Sequence, residues 1–202
     1  MPVTDLDHLK SLYGTVHPLA EIKALDHLDR HCRNFIAASP FMLLATSNGT
    51  DLDVSPKGDP AGSVMVEENG RALLLADRPG NNRLDGLLNI LAHPYVGTIF
   101  LIPGVRETLR VNGHATIHDE PEMLDRCLIN GRRPITVTRI AVDQAYLHCA
   151  KAFIRSKLWD PASWPDQRPV PSLSEMIGDQ TGTAMPSDSE EKLDKDYSAT
   201  LY

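Results

Sequence analysis

Residues 107–118 read ETLRVNGHATIH and alternate between apolar and polar side chains along their whole length. One face carries Leu109, Val111, Gly113, Ala115 and Ile117, and the other carries Thr108, Arg110, Asn112, His114 and Thr116. Because successive side chains of a strand point to opposite faces, this pattern predicts a half-buried strand of an antiparallel sheet. The polar row is typical of a solvated outer face or of donors aligned toward a ligand, and both interpretations stay open.

Other short strand patterns lie on both sides of this segment, separated by turn pairs such as Asn48-Gly49 and Asn69-Gly70. They cover residues 41–46, 51–59, 63–67, 71–76, 95–102, 134–142 and 145–149. Pro56 marks the second of these as an edge strand. The regular βαβ alternation of a doubly wound sheet is missing. The pattern therefore predicts a mainly β fold, an antiparallel barrel of six to seven strands with a few flanking helices.

Helical spacing of apolar residues predicts helices over residues 20–38, 81–92, 121–130 and 151–159. Beyond Pro161 the chain is rich in Pro, Ser and Asp and contains the acidic stretch SDSEEKLDKD at 187–196. We expect one domain over residues 1–160, with the N-terminal helix included. Residues 161–202 then form a tail that packs on the barrel or on a partner subunit.

Composition narrows the function classes. The 202 residues carry a net charge of −7 and no apolar run of membrane-spanning length, so we expect a cytoplasmic protein that binds neither nucleic acid nor membrane. Cys32, Cys127 and Cys149 form no CxxC pair, which argues against a disulfide framework or a zinc site. His27 and His31 have the spacing of zinc ligands, but HLDRH lacks the glutamate of H-E-x-x-H. We therefore expect solvated histidines and no metal.

Cationic and amide side chains cluster at the predicted strand ends and at the start of the helix over residues 81–92. They are Ser55, Lys57, Arg78, Asn81, Asn82 and Arg83. Free N–H groups of a helix N-terminus, together with arginine and amide side chains, are suited to hold a phosphate. The alternative is that Arg83 pairs with Asp77 or Asp85. Walker A, G-x-G-x-x-G and G-x-S-x-G motifs are all missing from the sequence.

Four blocks in order carry a family resemblance: SPKGD at 55–59, DRPGNNRLDGLLNIL at 77–91, the strand running into IPG at 95–104, and ETLRVNGHA at 107–115. They resemble the pyridoxamine 5′-phosphate oxidase-like FMN-binding family, and more closely its branch of FMN-dependent, pyridoxamine 5′-phosphate oxidase-related proteins. The similarity covers roughly residues 41–161. It implies a split β-barrel that forms a homodimer, with FMN held in clefts between the subunits.

The resemblance also implies roles in FMN binding for individual residues. Arg83 matches the family's phosphate-contacting arginine, whereas Leu84 replaces the lysine beside it, a loss that Lys57 or Arg110 would make good. Thr108 stands where the oxidase has a flavin-contacting glutamine. The block CAKAFIRSKLWDP at 149–161 is typical of the closer branch and would close the cleft. The implied FMN-binding set is Ser55, Lys57, Asp77, Arg78, Asn81, Asn82, Arg83, Thr108, Arg110, Asn112, Lys151, Arg155, Ser156 and Trp159.

Function follows from the resemblance as two alternatives. FMN itself carries hydride or electron transfer, so no acid–base residue is required, and no catalytic residue is assigned. The R-x-H signature of pyridoxamine phosphate oxidases is not evident, so the vitamin B6 substrate is not carried over. We expect an FMN-dependent oxidoreductase acting on a small organic molecule. The alternative is a non-catalytic flavin- or haem-binding protein, with His114 or His148 as the axial ligand of the haem.

Overall fold

The computed structural model describes residues 2–184 and 190–201 of the chain. The strands are β1 (Phe41–Ser47), β2 (Leu52–Gly58), β3 (Met65–Val66), β4 (Ala72–Asp77), β5 (Tyr95–Leu101), β6 (Thr108–His118) and β7 (Thr136–His148). The helices are α1 (Leu6–Leu12), α2 (Pro18–Ile22), α3 (Arg30–Ala38), α4 (Asp85–Ala92), α5 (Pro121–Arg126), α6 (Lys151–Ser156), α7 (Leu173–Thr181) and α8 (Glu190–Thr200), with a 3₁₀ turn at Pro161–Ser163.

All seven strands join one antiparallel sheet in the order β2-β1-β5-β6-β7-β4-β3. The sheet curls until the end of β2 meets the end of β4. In the described part of the chain no backbone ladder joins these two strands, and the contact is made by ion pairs between Lys57 and Asp77 and between Arg78 and Asp59. We call this line of contact the seam. The predicted split β-barrel is confirmed, with β2 as the edge strand that Pro56 indicated.

The core fills the inside of the barrel. The apolar face of β6 is buried as predicted, with Leu109 and Val111 fully inaccessible to solvent, and Phe100 of β5 packs in the same cluster. Helix α3 closes one side of the cluster through Cys32 and Ile36. Each fully buried side chain of this size contributes about 1.5–3 kcal/mol. This core holds β1 and β4 in place, and β2 is held by its ladder with β1.

The prediction of one continuous helix over residues 20–38 is wrong. Residues 20–38 form part of α2, a connecting segment, and α3. The segment is extended at Leu25, whose backbone exchanges hydrogen bonds of 2.9 and 2.8 Å with Ala145 of β7. Asp29 then starts a new helix by accepting from the N–H of Cys32 at 2.8 Å. His27 therefore lies before α3 and not on one helix with His31. Within the described residues no group of three potential ligands holds a metal geometry.

The helix predicted over residues 81–92 begins only at Asp85. Before it, the side-chain oxygen of Asn81 accepts from the N–H of Arg83 at 3.0 Å, and Asn82 adopts a left-handed backbone with φ of 55°. An asparagine turn of this kind competes with helical hydrogen bonding, and the left-handed residue cannot continue a right-handed helix. Arg83 consequently precedes the helix and is not in its first turn.

Further boundaries differ from prediction, among them the end of the helix predicted over 151–159, which stops at Ser156 because Lys157 takes a left-handed conformation. The two strands predicted over 134–142 and 145–149 are the single strand β7, which carries a bulge opposite Asn112 and Gly113. Gly113 is required there, because a Cβ atom would lie 1.9 Å from the carbonyl oxygen of Ala141. Helix α5 ends at Arg126, short of the predicted residue 130. Asn130 and Gly131 both take left-handed conformations that end helical geometry.

The C-terminal region contains α7 and α8. Side chains of Tyr197 and Leu201 line a hollow together with residues 78–81, so α8 lies beside the loop that precedes α4. Residues 187–189 of the acidic stretch lie outside the described residues, and residues 190–196 belong to α8. The division of the chain at residue 160 stays a prediction. No helix of the described residues combines the length and apolarity needed to span a membrane.

Candidate functional site

A cleft of about 330 Å³ opens at the N-terminus of α4. Five of the predicted site residues line it: Ser55, Lys57, Asp77, Asn81 and Arg83. We call it the α4 cleft. It is bounded by β2 on one side, by the end of β4 on another, and by the loop that leads into α4. The structure therefore brings together most of the residues that were predicted to hold a phosphate.

Local geometry explains how these side chains converge. Ser55 and Lys57 are two apart on β2, and so is Asp53, so all three lie on the same face of the strand. Asp77 is the last residue of β4 and faces Lys57 across the seam. The asparagine turn at Asn81 then carries the chain from β4 to the first residue of α4.

The N-terminus of α4 has no side-chain cap. The residue in the cap position is Leu84, which offers no acceptor, so the first N–H groups of the helix face the cleft without that partner. Gly86 lies in the first turn. A Cβ atom there would approach the Asp53 carboxylate to 3.2 Å, which shows how close that carboxylate lies to the helix end. A negative group at this position is favoured by the helix dipole.

Both cations of the cleft are engaged by carboxylates. Lys57 Nζ lies 3.1 Å from Asp77, and Arg83 Nε donates to the carboxylate of Asp85. The Asp85 hydrogen bond raises the pKa of Arg83, and the charge of Asp53 adds to that effect. Two cations therefore face the three carboxylates of Asp53, Asp77 and Asp85. A bound anion competes with these carboxylates for each cation.

Arg78 and Asn82 do not line the α4 cleft. Arg78 points to the other side of the seam, where its Nε donates to Asp59 at 3.1 Å and its Nη2 donates to the carbonyl oxygen of Cys127 at 3.1 Å. It borders a second cavity of about 190 Å³, which we call the seam pocket. Met42, Phe100 and other apolar side chains form its inner wall. The two cavities share Pro56, Lys57 and Asp77.

The predicted residues of β6 lie apart from the α4 cleft of their own chain. Thr108 is buried, and the amide of Asn112 donates to Gln144 at 3.4 Å. The guanidinium of Arg110 lies 5.2 Å from the centre of the Tyr146 ring. Its Nε atom is buried and has no hydrogen-bond partner among the described residues. The Nε atom of Arg110 is therefore an unsatisfied donor inside this part of the chain.

The predicted residues of the C-terminal block also lie elsewhere. Lys151 and Arg155 are exposed on α6, and Ser156 donates to the carbonyl oxygen of Phe153 at 3.3 Å. Trp159 donates from Nε1 to the carbonyl oxygen of Val105 at 2.9 Å and stacks on Phe153. Within one chain, this block does not reach the α4 cleft.

The two histidines considered as haem ligands have different surroundings. His114 Nδ1 lies 2.7 Å from the Asp143 carboxylate, and the His114 ring lies 4.3 Å from that of Tyr95. His148 is exposed at the end of β7. Neither lines the α4 cleft.

Sequence reasoning missed two of the three acidic residues of the cleft. Asp53 and Asp85 were not among the predicted site residues, although Asp53 shares the alternation of Ser55 and Lys57 along β2. That alternation was the available signal for Asp53. Asp85 was considered only as an alternative partner of Arg83, and the structure shows that pair.

Comparison with known proteins agrees with this fold. Residues 28–149 match the family model described as Pyridoxamine 5′-phosphate oxidase. No curated protein gives a significant match. Among solved structures, the chain is similar to HupZ of Group A Streptococcus, with 16% identity over 58% of this chain and 90% of that chain and a TM-score of 0.46.

Two other solved structures are similar to the chain. General stress protein 26 of Bacillus anthracis str. Sterne has 16% identity over 58% of this chain and 93% of that chain, with a TM-score of 0.39. The FAD binding protein from Mycobacterium smegmatis has 13% identity over 61% of this chain and 97% of that chain, with a TM-score of 0.40. The family model itself covers more than half of the chain, and the chain therefore belongs to the pyridoxamine 5′-phosphate oxidase family.

Proposed function

We propose that the protein is an FMN-binding flavoprotein that acts as an FMN-dependent oxidoreductase on a small organic molecule. Family membership supports a flavin as the cofactor. The observation that carries the proposal for FMN is the α4 cleft, where Ser55, Lys57, Asn81 and Arg83 surround an uncapped helix N-terminus. This set combines a hydroxyl, an amide, two cations and backbone N–H groups, which together bind phosphate.

The cleft can bind a phosphate if Arg83 and Lys57 exchange their carboxylate partners, Asp85 and Asp77, for the phosphate oxygens. The Arg83 side chain is 78% exposed, so its contact with Asp85 is weak and readily replaced. The Lys57–Asp77 pair is more protected, with 27% and 21% of the two side chains exposed. A phosphate at the N-terminus of α4 would draw Arg83 first and Lys57 second.

In this proposal the protein binds and orients, and the cofactor carries the reaction. When bound, FMN supplies hydride or electron transfer at its N5 atom. Arg83, Lys57 and the N–H groups of α4 would hold the phosphate and so fix the position of the ring. The proposed reaction needs no proton-transfer residue in the α4 cleft, and its substrate is a small organic molecule.

A homodimer would complete the site. The α4 cleft of one chain holds more carboxylates than cations, and Arg110 has a buried Nε atom without a hydrogen-bond partner among the described residues. The predicted residues of β6 and of the C-terminal block lie outside the cleft of their own chain. We infer that they face the cleft of a partner subunit, where Arg110 and Arg155 would supply the missing positive charge.

Binding of FMN and riboflavin to the apoprotein tests the cofactor proposal. We expect the fluorescence of FMN to be quenched on binding. We also expect FMN to bind more tightly than riboflavin, since riboflavin lacks the phosphate. Equal affinity for the two would overturn the role of the α4 cleft. Steady-state consumption of NAD(P)H in the presence of an electron acceptor then separates an oxidoreductase from a flavin-binding protein without turnover.

A further inference from the structure

The outer surface of the sheet is apolar across three strands. Residues two apart on a strand share a face, so Phe41 and Leu43 of β1 both lie on the side that points away from the core. The ladder register places Leu101 and Ile99 of β5 beside them on the same side, and Val54 of β2 joins them there. We call the surface formed by Phe41, Leu43, Val54, Ile99 and Leu101 the outer face.

The outer face is not patterned for contact with water. A sheet that is solvated on one side alternates apolar and polar residues, as β6 does with Arg110, Asn112 and His114 on this same side. Strands β1 and β5 instead read FMLLATS and YVGTIFL, with apolar residues on both sides. None of the five side chains belongs to a hydrophobic cluster of the described residues, and Phe41 and Val54 are 40% and 60% exposed. A patch of this kind marks an interaction surface.

A second apolar surface lies on the N-terminal arm, which we define as residues 3–22. Every residue of the arm is exposed, and eight of them are large and apolar. They are Val3, Leu6, Leu9, Leu12, Tyr13, Val16, Leu19 and Ile22. Leu6 and Leu9 are neighbours on one side of α1, and Leu19 and Ile22 are neighbours on one side of α2.

The arm needs a surface to pack against. Its helices α1 and α2 have seven and five residues. An isolated helix shorter than about 12–15 residues is marginal in water and depends on tertiary packing. The chain joins the barrel just after the arm, where Lys23 donates to the carbonyl oxygen of Leu147 at 2.8 Å and Leu25 pairs with Ala145. Because every residue of the arm is exposed in its own chain, the packing surface has to come from elsewhere.

We propose that the arm of one chain packs on the outer face of a second copy, so that two copies exchange arms. In a two-fold dimer this contact forms twice, since each chain contributes one arm and one outer face. At roughly 100 Å² for each large apolar side chain, the eight residues supply about 800 Å², the area that one partner contributes to a stable interface. The proposal rests on the proposed homodimer and is independent of FMN binding.

The chain's own arm is less suited to the outer face. The end of the arm lies beside β7, where Leu25 pairs with Ala145. In the sheet, β6 separates β7 from β5. To reach the outer face of its own chain, the arm would have to cross the polar row of β6.

Cross-linking between two chains tests where the arm lies. The Cys149→Ser chain keeps two buried cysteines, Cys32 and Cys127, and serves as the background. One chain carries Leu9→Cys in the arm, and a second, tagged chain carries Val54→Cys in the outer face. The two full-length chains are mixed and treated with a short bis-maleimide. We expect a product of twice 22.3 kDa in which mass spectrometry finds residue 9 joined to residue 54.

Charged substitutions measure the contribution of the contact. Leu9→Glu and Val54→Glu should each raise the Kd of the dimer about tenfold or more, as expected for the loss of one buried apolar side chain. Leu173→Glu on α7 is the matched control, because Leu173 is also an exposed leucine, and it should leave the Kd unchanged. Sedimentation equilibrium measures all three. Hydrogen exchange in α1 should become faster in Val54→Glu, although residue 54 lies outside the arm.

Three results would overturn the proposal. The first is a dimer without the link from residue 9 to residue 54, or a link found only within a double variant's single chain, which would place the arm on its own barrel. The second is a dimer whose Kd neither glutamate variant changes, which would leave the homodimer standing without the exchange of arms. The third is a monomeric wild type. FMN titration of the wild type is a separate measurement, so a failure of the cofactor proposal is distinguishable from all three.

Discussion

The ammonium group of Lys57 lies 3.1 Å from the carboxylate of Asp77, and this contact joins two strands across the seam of the barrel. The same two side chains line the α4 cleft. Lys57 therefore has a structural partner and a proposed ligand at the same position. Substitutions that separate these two roles are the sharpest tests of the site.

Arg83→Ala should weaken FMN binding about ten- to a hundredfold, since a charge-assisted contact is worth roughly 1.5–3 kcal/mol. Riboflavin affinity should hardly change. Arg133→Ala is a matched control, because Arg133 also pairs with a nearby carboxylate, Asp125, far from the cleft lining. A parallel loss for FMN and riboflavin would show that Arg83 supports the local fold, and the phosphate site would then be sought at Arg110.

Asp85→Asn should act in the opposite direction on FMN. It frees Arg83 from its present partner and removes one carboxylate from the cleft, so FMN affinity should rise by about threefold or more. Helix α4 loses a favourable charge in its first turn, which costs about 0.3–1 kcal/mol of stability. Titration with FMN and thermal denaturation of the same variant measure both effects. A fall in FMN affinity would contradict the exchange of partners.

Lys57→Ala and Asp77→Asn form a second opposed pair. Each substitution breaks the Lys57–Asp77 ion pair of the seam, so both should lower the free energy of unfolding. For Lys57→Ala we expect a loss of about 1–2 kcal/mol, because the partly buried Asp77 carboxylate is left without its cation. Lys57→Ala should also weaken FMN binding, whereas Asp77→Asn should strengthen it. Urea denaturation and FMN titration separate the two roles. Equal effects of both variants on FMN would mean that Lys57 acts only through the seam.

Leu88→Glu should weaken the proposed dimer. Strand β5 is not the surface chosen for this test, because it lies between β1 and β6 with Phe100 buried in the chain's own core. An exposed apolar pair lies on α4, where Leu88 is 59% and Leu91 is 74% exposed. Sedimentation equilibrium should give twice 22.3 kDa for the wild type. Leu12→Glu tests the exposed apolar residues of α1 as the alternative surface, and a monomeric wild type with FMN present would refute the dimer.

Glu67→Gln should change how stability depends on pH. The hydrogen bond from Arg139 lowers the pKa of Glu67 from its ordinary 4.5, while desolvation opposes this. A carboxyl with a lowered pKa in the folded state stabilises the fold above pH 4.5, and this contribution is lost as the pH falls further. The gap in unfolding free energy between wild type and variant should therefore be constant near neutrality and shrink in acid. A gap that does not change with pH would contradict the pairing.

Two local patterns were sufficient to predict the elements that they form. The alternation of β6 and the turn at Asn69-Gly70 need only local sequence, and both are confirmed. The break in the first helix has a distant cause, the pairing of Leu25 with Ala145. No local pattern shows a contact between residues so far apart in the chain.

The same distinction holds for the candidate site. Ser55, Lys57 and Arg83 stand out in the sequence because cations and polar groups at strand and helix ends are informative by themselves. That Asp53 and Asp77 approach the same helix end depends on the curling of the sheet. The competition between carboxylates and a phosphate for the two cations is visible only in three dimensions.

The seam has a consequence for the motions of the protein. Opening it breaks side-chain contacts only, whereas opening the barrel between β6 and β7 would break a backbone ladder of eleven residue pairs. Native-state hydrogen exchange should therefore be fastest in the edge strands β2 and β3, each of which pairs with one neighbour, and slowest in β5, β6 and β7. We expect the barrel to open locally along the seam, where the α4 cleft and the seam pocket meet. Such opening would give a ligand access to these two cavities without global unfolding.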